Sequence, residues 1–162
     1  MTRDADRLRM LRAIRRLARA LDIQSRRIDR AVGLTLPQFV VLTSVGELGE
    51  GTSRAIAAAA DLSPPTVAGV LDKLEAKGLI ERTRSRVDRR AVHTRLSERG
   101  REALARAPDP FGADFSAAFD ALPPALRGET LAALDRVAEL AGPQGAPEGE
   151  PGAVAPETSE TG

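Results

Sequence analysis

The sequence predicts a mainly α-helical domain with one small two-stranded β element. Three observations lead there. Apolar residues recur at three- and four-residue steps over most of the chain, the spacing of one helix face. Aromatic residues make up only 2% of the 162 positions and there is no Trp or Tyr, so the core is built from Leu, Val, Ile and Ala, which favours helices. Only two stretches, "LIERTR" and "AVHTRL", alternate in polarity as half-buried strands do.

The elements follow in order. Over residues 5–30, Leu8, Leu11, Ile14, Leu17, Leu21 and Ile28 form one apolar stripe on a long helix, with arginines on its other sides, and Gly33 stops it. A second helix runs from about 36 to 48 with Pro37 in its first turn. Thr52 caps a short, alanine-rich helix, "TSRAIAAAADL". Ser63 is the N-cap of the next, with Pro64 at its first position and Gly78 past its end. That helix keeps Val67, Val70, Leu71 and Leu74 on one face and Thr66, Gly69, Lys73 and Lys77 on the other. Two short helices joined at "ADLSP" have helix-turn-helix spacing. The alternating stretches then enclose "SRVDR" as a polar loop, so a hairpin with a basic tip follows the helix pair. That arrangement is a winged helix. Ser97 caps a further helix, which Pro108 and Pro110 break. Phe111, Phe115 and Phe119 repeat at four-residue steps, as in a packing face, and a last helix covers about 124–140. Residues 142–162 hold almost nothing apolar and read as a disordered acidic tail.

Composition excludes several functions. Without Cys there is no disulfide, thiol sensor or Cys-type zinc site, and a single histidine, His93, excludes a multi-His metal centre. There is no P-loop, dinucleotide-binding glycine motif or HExxH. Asp72 and Glu75 read as surface charges rather than a catalytic pair. The sequence therefore predicts no enzyme, no cofactor and no metal. No apolar run approaches the roughly 18 residues of a membrane span, and the arginine-rich start lacks the apolar region of a secretory signal. A cytoplasmic protein with no membrane partner is expected.

The net charge of +1 hides an asymmetry. From Gly142 onward there are four acids and no base, which leaves residues 1–141 with 24 bases against 19 acids. The excess lies in residues 1–30, with ten Arg and four Asp, and in residues 81–101, with eight Arg and three acids. Basic stripes beside a helix-turn-helix point to double-stranded DNA. The major groove admits one helix. Thr66 suits a base edge or a thymine methyl; Ser63 and backbone N–H groups suit phosphate; Lys73 reaches the backbone. The wing arginines Arg84, Arg86, Arg89 and Arg90 suit a narrow minor groove, where negative potential is enhanced and a flat, weakly hydrated guanidinium enters more readily than an ammonium.

Residues 62–102, "LSPPTVAGVLDKLEAKGLIERTRSRVDRRAVHTRLSERGRE", resemble the winged helix-turn-helix of the MarR (multiple antibiotic resistance regulator) family, most specifically in the frame "LDKLEAKGLIER…DRR…LSERG". The likeness extends more weakly over 5–141. It implies a DNA-binding part at about 36–96 and dimerisation helices at about 5–30 and 97–141, hence a homodimer that regulates transcription, most simply a ligand-responsive repressor on a pseudo-palindromic operator. By motif position Pro65 and Thr66 fall where base contacts are usual, Arg90 falls on the wing arginine that enters the minor groove, and Asp88 on the acid that braces the wing. Gly69 stands where many members carry Arg or another polar reader, which moves that contact to Lys73 or removes it. The family also implies a pocket for a small aromatic or phenolic ligand between the DNA-binding and dimer regions. Two other readings follow from the residues alone: a nonspecific architectural DNA binder, since few base-reading side chains face outward, and a winged helix that binds only protein.

Overall fold

The computed structural model describes residues 3–84 and 92–141. Its elements are α1 (Arg3–Val32), α2 (Leu36–Leu48), β1 (Glu50–Thr52), α3 (Ser53–Ala60), α4 (Pro64–Ala76), β2 (Ile80–Arg84), β3 (Val92–Leu96), α5 (Glu98–Arg106), α6 (Ala113–Asp120) and α7 (Pro124–Ala141). Two compact units are distinguished, Met1–Ala117 and Ala118–Gly162, with α6 spanning the boundary.

Local chemistry places the helix ends. Thr35, Thr52, Ser63 and Ser97 each turn the chain into a helix from an extended conformation, and each side-chain oxygen accepts an N–H that the first turn leaves unpaired. Thr35 and Gln38 form a reciprocal capping box. Gly33 and Gly78, at φ 68° and 69°, end α1 and α4 in the left-handed region.

The first unit is held by one aliphatic core. Ile28, Leu34, Val41, Leu42, Val45, Ile56, Val67, Leu71 and Leu74 are fully buried. They come from α1 to α4, so the short helices are clamped in one hydrophobic cluster. On α1 only Ile28 is buried in it, with Val32 packed at its edge. Leu8, Leu11, Ile14, Leu17 and Leu21 are between 38% and 53% exposed, so much of that stripe stays open among the described residues.

The hairpin of β2 and β3 is antiparallel, with Ile80 opposite Leu96 and Arg84 opposite Val92. It belongs to a three-stranded sheet in the order β1-β3-β2. The third strand, "EGT", is an addition to the expected pair: three residues that end on the Thr52 cap, with Gly51 opposite Thr94. Nothing in so short a segment alternates. It is a strand because β3 offers it a ladder.

After α5 the chain breaks at Ala107, as the two prolines require, and α6 begins at Ala113. Asp109 organises the turn between them. Its carboxylate accepts the N–H groups of Phe111 at 2.8 Å and Gly112 at 3.2 Å. A hydrogen bond from the Ser116 side chain, then that from Phe111, holds the carboxyl below its ordinary 3.8. A lowered carboxylate pKa stabilises the turn at pH values above the unfolded pKa, and that contribution is lost as pH falls through the folded one. The Phe111 and Gly112 amide resonances are therefore expected to titrate with a midpoint below 3.8. A midpoint at or above that value would contradict this account of the turn.

Candidate nucleic-acid interface

The turn between α3 and α4 is short because Asp61 takes the left-handed conformation, φ 51° and ψ 45°, and donates its N–H to the last carbonyls of α3. Leu62 N–H returns to Ala57 O at 3.1 Å. Ser63 then starts α4. Its Oγ accepts Thr66 N–H at 3.3 Å and shares a hydrogen bond with Thr66 Oγ1 at 2.7 Å. Pro64 follows without an N–H to lose.

Helix α4 buries Val67, Val70, Leu71 and Leu74 and leaves Pro65, Thr66, Ala68, Gly69, Asp72 and Lys73 exposed. The predicted DNA-facing residues of this helix thus share its solvent side. A Cβ added at Gly69 would meet nothing within 4 Å. Lys77 departs from expectation. Its ammonium donates to Gly33 O and to Gln38 Oε1 at 3.0 Å. It ties the end of α4 to the α1–α2 junction, and the cation favours the carbonyl end of α1. It is a structural lysine, not part of the outward face.

Asp72 and Glu75 also differ from two loose surface charges. The Arg82 guanidinium reaches across from β2, 2.8 Å from Asp72 Oδ1 and 3.6 Å from Glu75 Oε2, and its side chain is only 23% exposed. These ion pairs fasten the first wing strand to the back half of α4. Arg95 and Glu81 pair across β3 and β2 at 2.8 Å. His93, on β3, faces Glu50 of β1 at 3.5 Å, so it links two strands of the sheet. Arg84 ends β2 and is exposed. Arg86, Asp88, Arg89 and Arg90 lie outside the described residues. Sequence reading missed the Arg82 clasp because its partners are ten and seven positions away on another element; the motif "LDKLE…ER" held the residues but not the contact.

A separate open groove of about 380 Å³ lies between α1 and the turn into α6. Gln24, Arg27, Phe111, Gly112, Asp114 and Phe115 line it. Gln24 Oε1 is buried there with no hydrogen-bond partner among the described residues. Gly112, at φ 86°, lets Gln24 approach: a Cβ would sit 2.7 Å from its Nε2. Among the described residues no cluster of His, Asp and Glu could hold a metal ion. No single described helix is long and apolar enough to cross a membrane.

A MarR family model matches residues 34–92, the span from α2 through the start of β3. Residues 34–92 are a MarR-type domain by this match. It is 29% identical over 120 residues to the HTH-type transcriptional regulator MgrA of Staphylococcus aureus, which covers 71% of this chain and 82% of that protein. It is 28% identical over 93 residues to the HTH-type regulator YsmB of Bacillus subtilis, 57% of this chain and just under two thirds, 64%, of that one. Its fold is similar to that of Sco3205, a MarR regulator of Streptomyces coelicolor solved in complex with DNA, with a TM-score of 0.73, 23% identity, and coverage of 91% of this chain and 94% of that one. MarR proteins are transcription regulators that bind DNA and act as dimers; they are not enzymes.

Proposed function

We propose that this protein is a MarR-type regulator: a sequence-specific, ligand-responsive repressor that binds a pseudo-palindromic operator as a homodimer. The observation that carries the reading is the geometry of α4. Its N-terminal half is exposed, and its back half is fastened by Arg82 to the strand that precedes the arginine-rich segment 85–91. A helix for the major groove and a basic hairpin for the adjacent minor groove are thereby held together. In this reading Pro65, Thr66, Gly69 and Lys73 face the major groove, Ser63 takes phosphate, and Arg84, Arg86, Arg89 and Arg90 form the wing, braced by Asp88.

One such unit has a small footprint, and pairing supplies the rest. The exposed leucines of α1, with Leu126, Leu131 and Leu134 of α7 between 46% and 49% exposed, are apolar surface that a second copy would cover. Half-sites about 34–36 Å apart, or a multiple, are expected. The groove beside Gln24 and Arg27 suits a small aromatic or phenolic acid: phenylalanines for the ring, Arg27 for the charge and the unpaired Gln24 carbonyl for a hydroxyl.

The test is recovery of genomic fragments bound by the purified full chain near physiological salt, beside Arg90→Ala and Thr66→Ala. A few enriched fragments sharing a pseudo-palindrome, weakened about tenfold by each change, are expected. If Arg90→Ala weakens every fragment alike and Thr66→Ala does nothing, the protein is a backbone binder. No retention at all would leave only the protein-binding reading.

A further inference from the structure

We infer that α4 selects its half-site through thymine methyl groups, with duplex shape, and not through bidentate hydrogen bonds to base edges. The inference rests on the DNA-binding reading above and concerns what that helix reads. Bidentate readout in the major groove needs Arg or Lys on guanine, or Asn or Gln on adenine. The outward side of α4 has no Arg, Asn or Gln. Its polar groups are few and mostly engaged. The Thr66 hydroxyl is held by Ser63 Oγ at 2.7 Å. Asp72, which could accept from a cytosine amino group, is held by Arg82 at 2.8 Å. Lys73 remains, two turns into the helix, with a single ammonium that acts as a point charge rather than a fork.

What this surface does offer is small and apolar. Pro65 and Gly69 lie on the strip opposite the core residues, at the i and i+4 positions of one line. Thr66 and Ala68 flank that strip, and all four are exposed. Gly69 sits at an ordinary helical φ with open space where a side chain would be. The fold does not require it, and glycine inside a helix costs stability. A glycine on that strip lets the helix backbone approach the groove floor, where alanine- and threonine-type methyls meet the thymine C5-methyl.

The experiment takes a half-site recovered from bound fragments and replaces each thymine, one at a time, by deoxyuridine, which removes only the methyl. Affinity is expected to fall about threefold to fivefold at one or two positions under the start of α4. At those positions a 5-methylcytosine·guanine pair, which keeps the methyl but changes the edge, is expected to bind within about twofold of thymine·adenine, and an unmethylated cytosine·guanine pair more weakly. Deoxyuridine without effect at every position, or 5-methylcytosine no better than cytosine, overturns the inference while DNA binding stands. Failure to recover any half-site overturns both, and is seen before any base analogue is used.

Discussion

Gly100→Ala is expected to destabilise the first unit by about 3 kcal/mol or more, although the same change in a helix normally stabilises by about 0.5–1 kcal/mol. Gly100 is buried in the first turn of α5. A Cβ there would collide with Leu79 O and lie 3.1 Å from Leu79 C and 3.4 Å from Leu96 Cδ2. The first two are backbone atoms, which no rotamer change moves aside. Nor is that backbone free to shift. Leu79 O already accepts Ser97 N–H at 3.0 Å, and Ser97 Oγ donates to Gly78 O at 2.7 Å while accepting Gly100 N–H at 3.0 Å. The start of α5 is thus hydrogen-bonded onto the junction between α4 and β2, and a methyl group between them must separate the two. Urea unfolding of Gly100→Ala beside Gly69→Ala checks this, since a Cβ at Gly69 meets open space. The two should move the midpoint in opposite directions. A Gly100→Ala protein as stable as the parent would mean that α5 does not pack on Leu79 this closely.

The same junction shows what the sequence carried and what it did not. Ser63 with Pro64, Thr52 and Ser97 announced helix starts because an N-cap is chosen by chemistry within three residues of itself. Gly33 and Gly78 announced ends because a left-handed residue is a local requirement. The outward positions of α4 were legible from helical spacing, and so was the hairpin from its alternation. Thr35–Gln38 is equally local, the T-x-x-Q signature of a capping box. Three features were not local. β1 exists because β3 pairs with it. Lys77 looked like another outward base until the α1–α2 junction came within its reach. Arg82 was one arginine among many until α4 supplied two carboxylates. Position along a helix is periodic and can be counted; the element that will fold against a long charged side chain cannot.

Arg82→Ala is therefore expected to weaken binding to a recovered operator about tenfold or more at about 0.1 M salt, with little change in unfolding midpoint. The small stability effect follows from exposure. Asp72 and Glu75 are 69% and 47% exposed, and ion pairs open to water contribute at most about 1 kcal/mol. The larger binding effect has two sources. Arg82 holds the base of the wing against α4, so without it the helix and the hairpin no longer reach their grooves as one rigid piece, and ordering them falls on the binding step. Arg82 also covers Asp72, which lies on the exposed side of α4; once uncovered, that carboxylate faces the phosphates. The double change Arg82→Ala with Asp72→Asn separates the two. Removing the exposed acid should recover about half of the lost binding free energy, and what stays lost measures the wing's positioning. Arg82→Lys should fall between, since an ammonium neutralises Asp72 but cannot span both carboxylates as a planar fork does. Undiminished affinity of Arg82→Ala at low salt would show that the wing finds its groove without this clasp, and the ion pairs would then be surface charges after all.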